Sequence, residues 1–422
     1  MLVNHPQRQF ERQPAPEKLC NIPRLVEVME ERGVDGIVAL FGTNQYYMSS
    51  FSKHSSLPET TGSLPVIFSR HDPEHPILVM SESELMRLQV QPTWIKDIRP
   101  FASSNLPFHR EANFEELARF AGQEVLENST WGRQGAATYY SNMGQAIVAG
   151  LRDLGLTRGR VAFDNYEMGV LFASAIPELE AVPGENLFRH VRARKTDVEI
   201  ELLRKASWIN QTSLEGAVRN WQKGMSWHDL IFEYQINALT HGGSPNLPDT
   251  NAPDNGLSPY FHADLEVVDF ELREGMNIMF DLHGRYNGYC WDGGKSWTVG
   301  GNPNPVTEKN WEATVAATRE MANASRTGTK ISELSRIGFE TFAKFGHDEK
   351  GLIIFFHSLG LDHIDQDLSH GMKDWALQRD MVYSIHIAFP GDENQRLFIE
   401  DILHVKDDCS DRIFTWDDQL LS

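Results

Sequence analysis

The chain has 422 residues, 41% of them hydrophobic and 23% charged, a composition that fits a globular protein of two domains, each long enough to bury its own core. A net charge of −20 and the lack of any Lys/Arg block exclude electrostatic attraction to nucleic acid or anionic lipid. No apolar run nears the roughly 20 residues of a membrane span, and three scattered cysteines (Cys20, Cys290, Cys409) argue against a disulfide framework and fit a reducing cytoplasm.

Residues 1–22 read as a polar arm without an apolar signal core. Pro23 to Gly33 reads as a helix, with Pro23 at the first position, where its missing N–H costs nothing. Strands are expected at 35–41, 64–68, 76–80 and 159–165, and a helix at 141–155. Strands alternating with helices predict an α/β domain over residues 23–188 whose role is architectural, because nothing in it clusters His, Asp or Glu. From residue 189 to 422 the pattern changes to α+β. Thr196-Asp-Val-Glu199 is a capping box ahead of an apolar helical series, and Ser226 to Asp229 starts a second helix in the same way. Two more helices are expected at 307–325 and 332–345.

Between these helices, MFDLHGRYNGYCWDGGKSWT (residues 279–298) is the stretch on which the chemistry turns. Asn287-Gly288 predicts a type I′ hairpin, since both central residues of that turn need positive φ. Counting outward pairs His283 with Asp292 and puts Asp281, His283 and Asp292 on one face. Further on, an apolar strand at 353–356 delivers His357 into the turn HSLG. Strands at 381–389 and 397–405 flank the polar loop PGDENQR; if that loop is symmetric, His386 and Glu400 face each other directly. His262 lies in the segment leading into the first hairpin. Two Asp, one Glu and two His on neighbouring strands are what a metal centre needs, and carboxylate and imidazole donors suit Mn, Fe, Zn or Co, with no cysteine to close a structural zinc site. His363 and His370 are expected at the rim or surface, and Trp291 and Trp297 in the core or a cleft wall. GGKS at residues 293–296 is not a phosphate loop, because Tyr289 stands where its leading glycine belongs, and neither H-E-x-x-H nor G-x-S-x-G occurs.

At these residues the sequence resembles the pita-bread family, which includes creatinase, Xaa-Pro aminopeptidases and dipeptidases, and methionine aminopeptidases. Asp281 and Asp292 keep that family's eleven-residue spacing, GYCWD is similar to its G-Y-x-x-D, HSLGL supplies His357 and FIEDILHV supplies Glu400. RLVEVMEERGVDGIVALFGTNQYYMSSF is similar to the opening of the creatinase-type N-terminal domain, and RARKTDVEIELLRKA to the start of the catalytic domain. The resemblance implies a creatinase-like N-terminal domain followed by a pita-bread catalytic domain. It also implies one or two divalent metal ions held by Asp281, Asp292, His357, His386 and Glu400, with His262, His357 and Glu400 catalytic. The implied activity is hydrolysis of a C–N bond of the Xaa-Pro kind in a small or dipeptide-sized substrate, by a cytoplasmic homodimer.

Three departures mark an atypical member. His386 stands where the family's first glutamate belongs, His283 where it usually has glycine, and His363 follows His357 by six residues rather than seven. These departures leave two alternatives beside the peptidase. One is a creatinase-like hydrolase or a lyase acting on a small zwitterion such as dimethylsulfoniopropionate, with altered or no metal. The other is an inactive binding module.

Overall fold

The computed structural model describes residues 17–51, 64–89, 91, 93–102, 140–245, 269–348, 350, 352–369, 373–389 and 395–422. His262 and His370 lie outside them. The chain divides into two compact units, with the boundary between Arg192 and Ala193. Among the described residues no helix is long and apolar enough to cross a membrane.

The first unit is built on strands β1 (Gly36–Ala39), β2 (Val66–Ser69), β3 (Ile77–Ser81), β4 (Asp97–Phe101), β5 (Arg158–Phe163) and β6 (Glu178–Pro183). They form one mixed sheet in the order β4-β3-β2-β1-β5-β6. The short runs GIVA, VIFS and ILVMS are buried along their whole length, as strands covered on both faces must be. Helices α1 (Ile22–Glu31), α2 (Gly42–Ser49), α3 (Met143–Asp153), α4 (Tyr166–Ala173) and α5 (Glu185–Arg192) complete the unit. Ala146, Ile147 and Leu151 of α3 join Val38, Ile67, Val79 and Phe163 of the sheet in one core. Each large apolar side chain buried there contributes about 1.5–3 kcal/mol. Helix α2 has no apolar stripe to announce it. Its start is held from a distance by Asp164, whose carboxylate accepts the backbone N–H of Leu40 at 2.7 Å and the Asn44 side chain at 2.8 Å.

The second unit opens with α6 (Asp197–Arg219) and α7 (Trp227–Thr240), each started by the capping box expected of it, Thr196 with Glu199 and Ser226 with Asp229. Short strands β7 (Ser244–Pro245) and β8 (Asn277–Ile278) precede the hairpin of β9 (Gly284–Tyr286) and β10 (Tyr289–Trp291). Strands β11 (Gly294–Lys295) and β12 (Trp297–Thr298) follow, then α8 (Pro305–Ala324) and α9 (Ile331–Lys344). Helix α8 begins two residues ahead of the expected Thr307, because the Asn304 side chain caps it by accepting from Val306 and Thr307.

The unit is completed by β13 (Ile353–Ser358), β14 (Gln366–Asp367), β15 (Val382–Phe389), β16 (Leu397–Val405) and β17 (Ser410–Arg412). The main sheet runs β11-β16-β15-β13-β14, antiparallel throughout, with β17 on β16. His357 lies inside β13, paired with Ser384, rather than in the turn beyond it. Side-chain alternation gives this sheet two chemical faces. Tyr383, Ile385, Ile387, Ile399, Leu403 and Phe356 enter a core with Trp311, Met321 and Phe342 of the two helices. The residues between them, His357, His386 and Glu400, point to the opposite face. A rigid apolar layer therefore backs the polar groups.

Candidate metal centre

The hairpin forms about Asn287 and Gly288, whose φ angles of 47° and 83° are those of the expected turn. Tyr286 pairs with Tyr289 and Gly284 with Trp291, and the same register resumes where Ile278 meets Trp297. Between these ladders His283 and Asp292 stand across from each other, Nε2 to Oδ1 at 3.0 Å. The same Nε2 lies 3.2 Å from Asp281 Oδ1. The strand end that carries Asp292 is held by Asn210 of α6, whose side-chain amide donates to the Gly293 carbonyl at 2.9 Å and accepts from Tyr234 of α7 at 3.0 Å.

On the main sheet His386 and Glu400 are direct partners in the ladder, as the loop symmetry requires, and His386 Nε2 is 2.5 Å from Glu400 Oε1. His357 Nε2 lies 3.3 Å from His386 Nε2, 3.4 Å from Glu400 Oε1 and 3.4 Å from Asp292 Oδ2. These distances are long for charge-assisted hydrogen bonds. The three separations from His357 equal those between donors held at about 2.0–2.1 Å by one zinc-sized ion, roughly 3.3–3.4 Å, whereas His386 and Glu400 stand at hydrogen-bond distance from each other. Asp292, His357, His386 and Glu400 thus offer four converging donor atoms from buried side chains.

A buried charge is tolerated only when something compensates it. Asp292 and Glu400 have no exposed side-chain surface, and what faces their inner oxygens is imidazole: His363 and His357 at Asp292 Oδ2, His386 and His357 at Glu400 Oε1. Burial lowers His357 and takes His386 down to about 4, which leaves both imidazoles neutral with a lone pair to offer. Burial, reinforced by the charges of Asp292 and Asp281, pushes Glu400 well above the usual carboxylate range. Burial would also push Asp292 up, but His363 and His283 outweigh it and hold that carboxyl well below its ordinary value. For His283 burial is likewise overcome, by Asp292 and Asp281, and its value rises well above normal. Buried carboxylates, neutral imidazoles and a high Glu400 are the features of a site built for a cation.

The five residues expected to hold metal do not form a single ring. Four of them converge, whereas Asp281 sits with His283 at one side. His363, expected at the rim or surface, has a side chain 31% exposed, and its Nε2 lies 2.8 Å from Asp292 Oδ2, which places it at the edge of the cluster. Trp291 and Trp297 are buried, as expected of core or wall residues. The three cysteines are free.

An antiparallel sheet, backed by two helices and carrying imidazoles and carboxylates on its other face, is the pita-bread fold. Residues 201–407 match the model of metallopeptidase family M24. YkvY of Bacillus subtilis strain 168, provisionally designated a dipeptidase, is 24% identical over 227 residues, 54% of this chain and 62% of its own length. The Xaa-Pro dipeptidase of Pyrococcus horikoshii is 23% identical over 176 residues, 42% of this chain and 48% of the relative. The chain therefore matches less than two thirds of either curated relative. Among solved structures, a dipeptidase from Pyrococcus horikoshii OT3 superposes with a TM-score of 0.69 at 18% identity, covering 94% of this chain and 99% of that one.

Proposed function

We propose that this chain is a metal-dependent hydrolase that cleaves a C–N bond, amide or peptide and of the Xaa-Pro kind, in a small substrate. One observation carries the reading: four donor atoms from the buried side chains of Asp292, His357, His386 and Glu400 lie within 4.8 Å of one another. The names of the relatives, dipeptidase and Xaa-Pro dipeptidase, support the substrate class.

A divalent ion at such a centre supplies Lewis acidity toward a carbonyl oxygen and lowers the pKa of water. His357 and His386 act as neutral donors from rigid strands. Beside a bound cation Glu400 would be ionised despite its burial, and would take the proton of the attacking water. His262 returns a proton to the leaving nitrogen as the C–N bond breaks, a transfer worth roughly 10²–10⁴-fold. The enzyme works as a homodimer in the cytoplasm.

The test is a panel of Xaa-Pro and other dipeptides, offered to the purified protein before and after chelation and again after readdition of zinc, cobalt, iron or manganese. Hydrolysis abolished by chelator and restored by one of these ions is expected. Unchanged turnover in chelator removes the metal from the reading. A second reading, a creatinase-like hydrolase or a lyase acting on a small zwitterion, draws on His283, which stands against both hairpin carboxylates. Small zwitterions in the same panel separate the two.

A further inference from the structure

We propose that this chain holds a single divalent ion, because the imidazole of His283 occupies the gap between Asp281 and Asp292 and shuts a further ion out of it. The proposal rests on the reading of the metal centre just given and extends it to ion number.

The resemblance assigns both hairpin aspartates to metal and puts glycine, which has no side chain, at position 283. Here an imidazole fills the space that a glycine leaves open. His283 Nε2 lies 3.0 Å from Asp292 Oδ1 and 3.2 Å from Asp281 Oδ1, on a side chain 9% exposed. Donors that share one zinc-sized ion at about 2.0–2.1 Å stand roughly 3.3–3.4 Å apart. Both separations are shorter than that and fall within the span of an N–H facing an oxygen, about 2.7–3.2 Å.

An aspartate that bridges two ions gives one oxygen to each. Asp292 Oδ1 already accepts the Gly293 N–H at 2.9 Å and faces His283, which takes up both of its lone-pair sites. Only Oδ2 is left, and it faces His357 of the centre already described. His363 closes the same side, 2.8 Å from Oδ2 and with its ring centroid 4.1 Å from that of His283. The loop that carries His363 is fastened to the hairpin, since Cys290 N donates to the Gly360 carbonyl at 2.8 Å and Arg285 Nη1 to the Leu361 carbonyl at 2.6 Å. The gap therefore does not open by a small shift of one side chain.

Charge leads to the same number. With His386 where the pattern has a glutamate, the carboxylates of the cluster are Asp281, Asp292 and Glu400. Three negative charges exceed the two that one dication needs and fall short of the four that two dications need, and an unbalanced buried charge is costly.

The test is zinc and cobalt(II) titration of the full chain, stripped by chelator and dialysed, with stoichiometry read by metal analysis and by the visible absorption of bound cobalt. The wild type is expected to take one ion. His283→Gly and His283→Ala empty the gap and are expected to take two, with a second cobalt step, while the circular dichroism of the metal-free proteins matches the wild type. His283→Gln refills the gap with an amide and is expected to return to one. Two ions in the wild type overturn the proposal and leave the metal centre standing. One ion in the wild type and in both emptied variants also overturns it, because the imidazole is then not what keeps the second ion out. No ion in the wild type overturns the proposal and the metal centre together.

Discussion

His386 of β15 and Glu400 of β16 face each other across a ladder pair, Nε2 to Oε1 at 2.5 Å, on the side of the sheet away from its helices. The resemblance places a glutamate at this position, so an imidazole here leaves the centre with one negative charge fewer than that pattern implies. Removing the imidazole in His386→Ala is expected to weaken zinc at least about 10–100-fold, the cost of disturbing a metal's support, with the fold retained. His386→Glu is expected to bind zinc and to narrow the gap between zinc and manganese, since oxygen donors suit the harder ion. Competition titrations with a chromogenic chelator measure both. Wild-type zinc affinity in His386→Ala would remove His386 from the ligand set.

The hairpin is packed with little room to spare. A Cβ on Gly284 would lie 2.0 Å from Trp291 Cζ2, and Gly284 is next to His283. Gly284→Ala is expected to cost about 1–3 kcal/mol through overpacking and to weaken metal binding by shifting His283. Urea unfolding of the metal-free protein gives the first quantity and zinc titration the second. Wild-type values for both would mean that the tryptophan yields freely and that hairpin geometry does not govern the site.

Away from the metal cluster, Glu199 of the first capping box is fully buried, accepts the backbone N–H of Thr196 and receives the Tyr289 hydroxyl at 3.0 Å. Burial raises its carboxyl from 4.5 to about 7, against the pull of Lys195. A raised acid favours the protonated folded state, so its contribution is complete below about pH 4.5 and disappears as pH rises through 7. Over that window unfolding free energy is expected to fall by roughly 3 kcal/mol from this group. Glu199→Gln keeps the capping acceptor and is expected to remove that part of the slope. Parallel pH–stability curves for the two proteins would contradict the assignment.

Local rules carried much of this architecture. Asn287-Gly288 announces its own turn, period-two alternation then places His283 opposite Asp292, and a symmetric loop sets His386 against Glu400. The capping boxes mark where two helices begin, because they are made from residues three apart. Helix α2 was invisible for the opposite reason: the acceptor that starts it, Asp164, is more than a hundred residues away. The contact of His363 with Asp292 is hidden from the sequence on similar grounds. Its approach to Asp292 depends on Lys195, Arg285 and Cys290 folding the loop back, and no spacing in HSLGLDH records those partners. Asp281 keeps the family spacing, yet the side chain that reaches it is His283, a residue for which the pattern makes no provision.

The most direct measurement is anomalous scattering from crystals of the zinc-loaded protein, recorded on either side of the zinc absorption edge. The account predicts a peak bounded by Asp292, His357, His386 and Glu400. An anomalous map with no peak at that position, from crystals whose protein carries zinc by metal analysis, would contradict it.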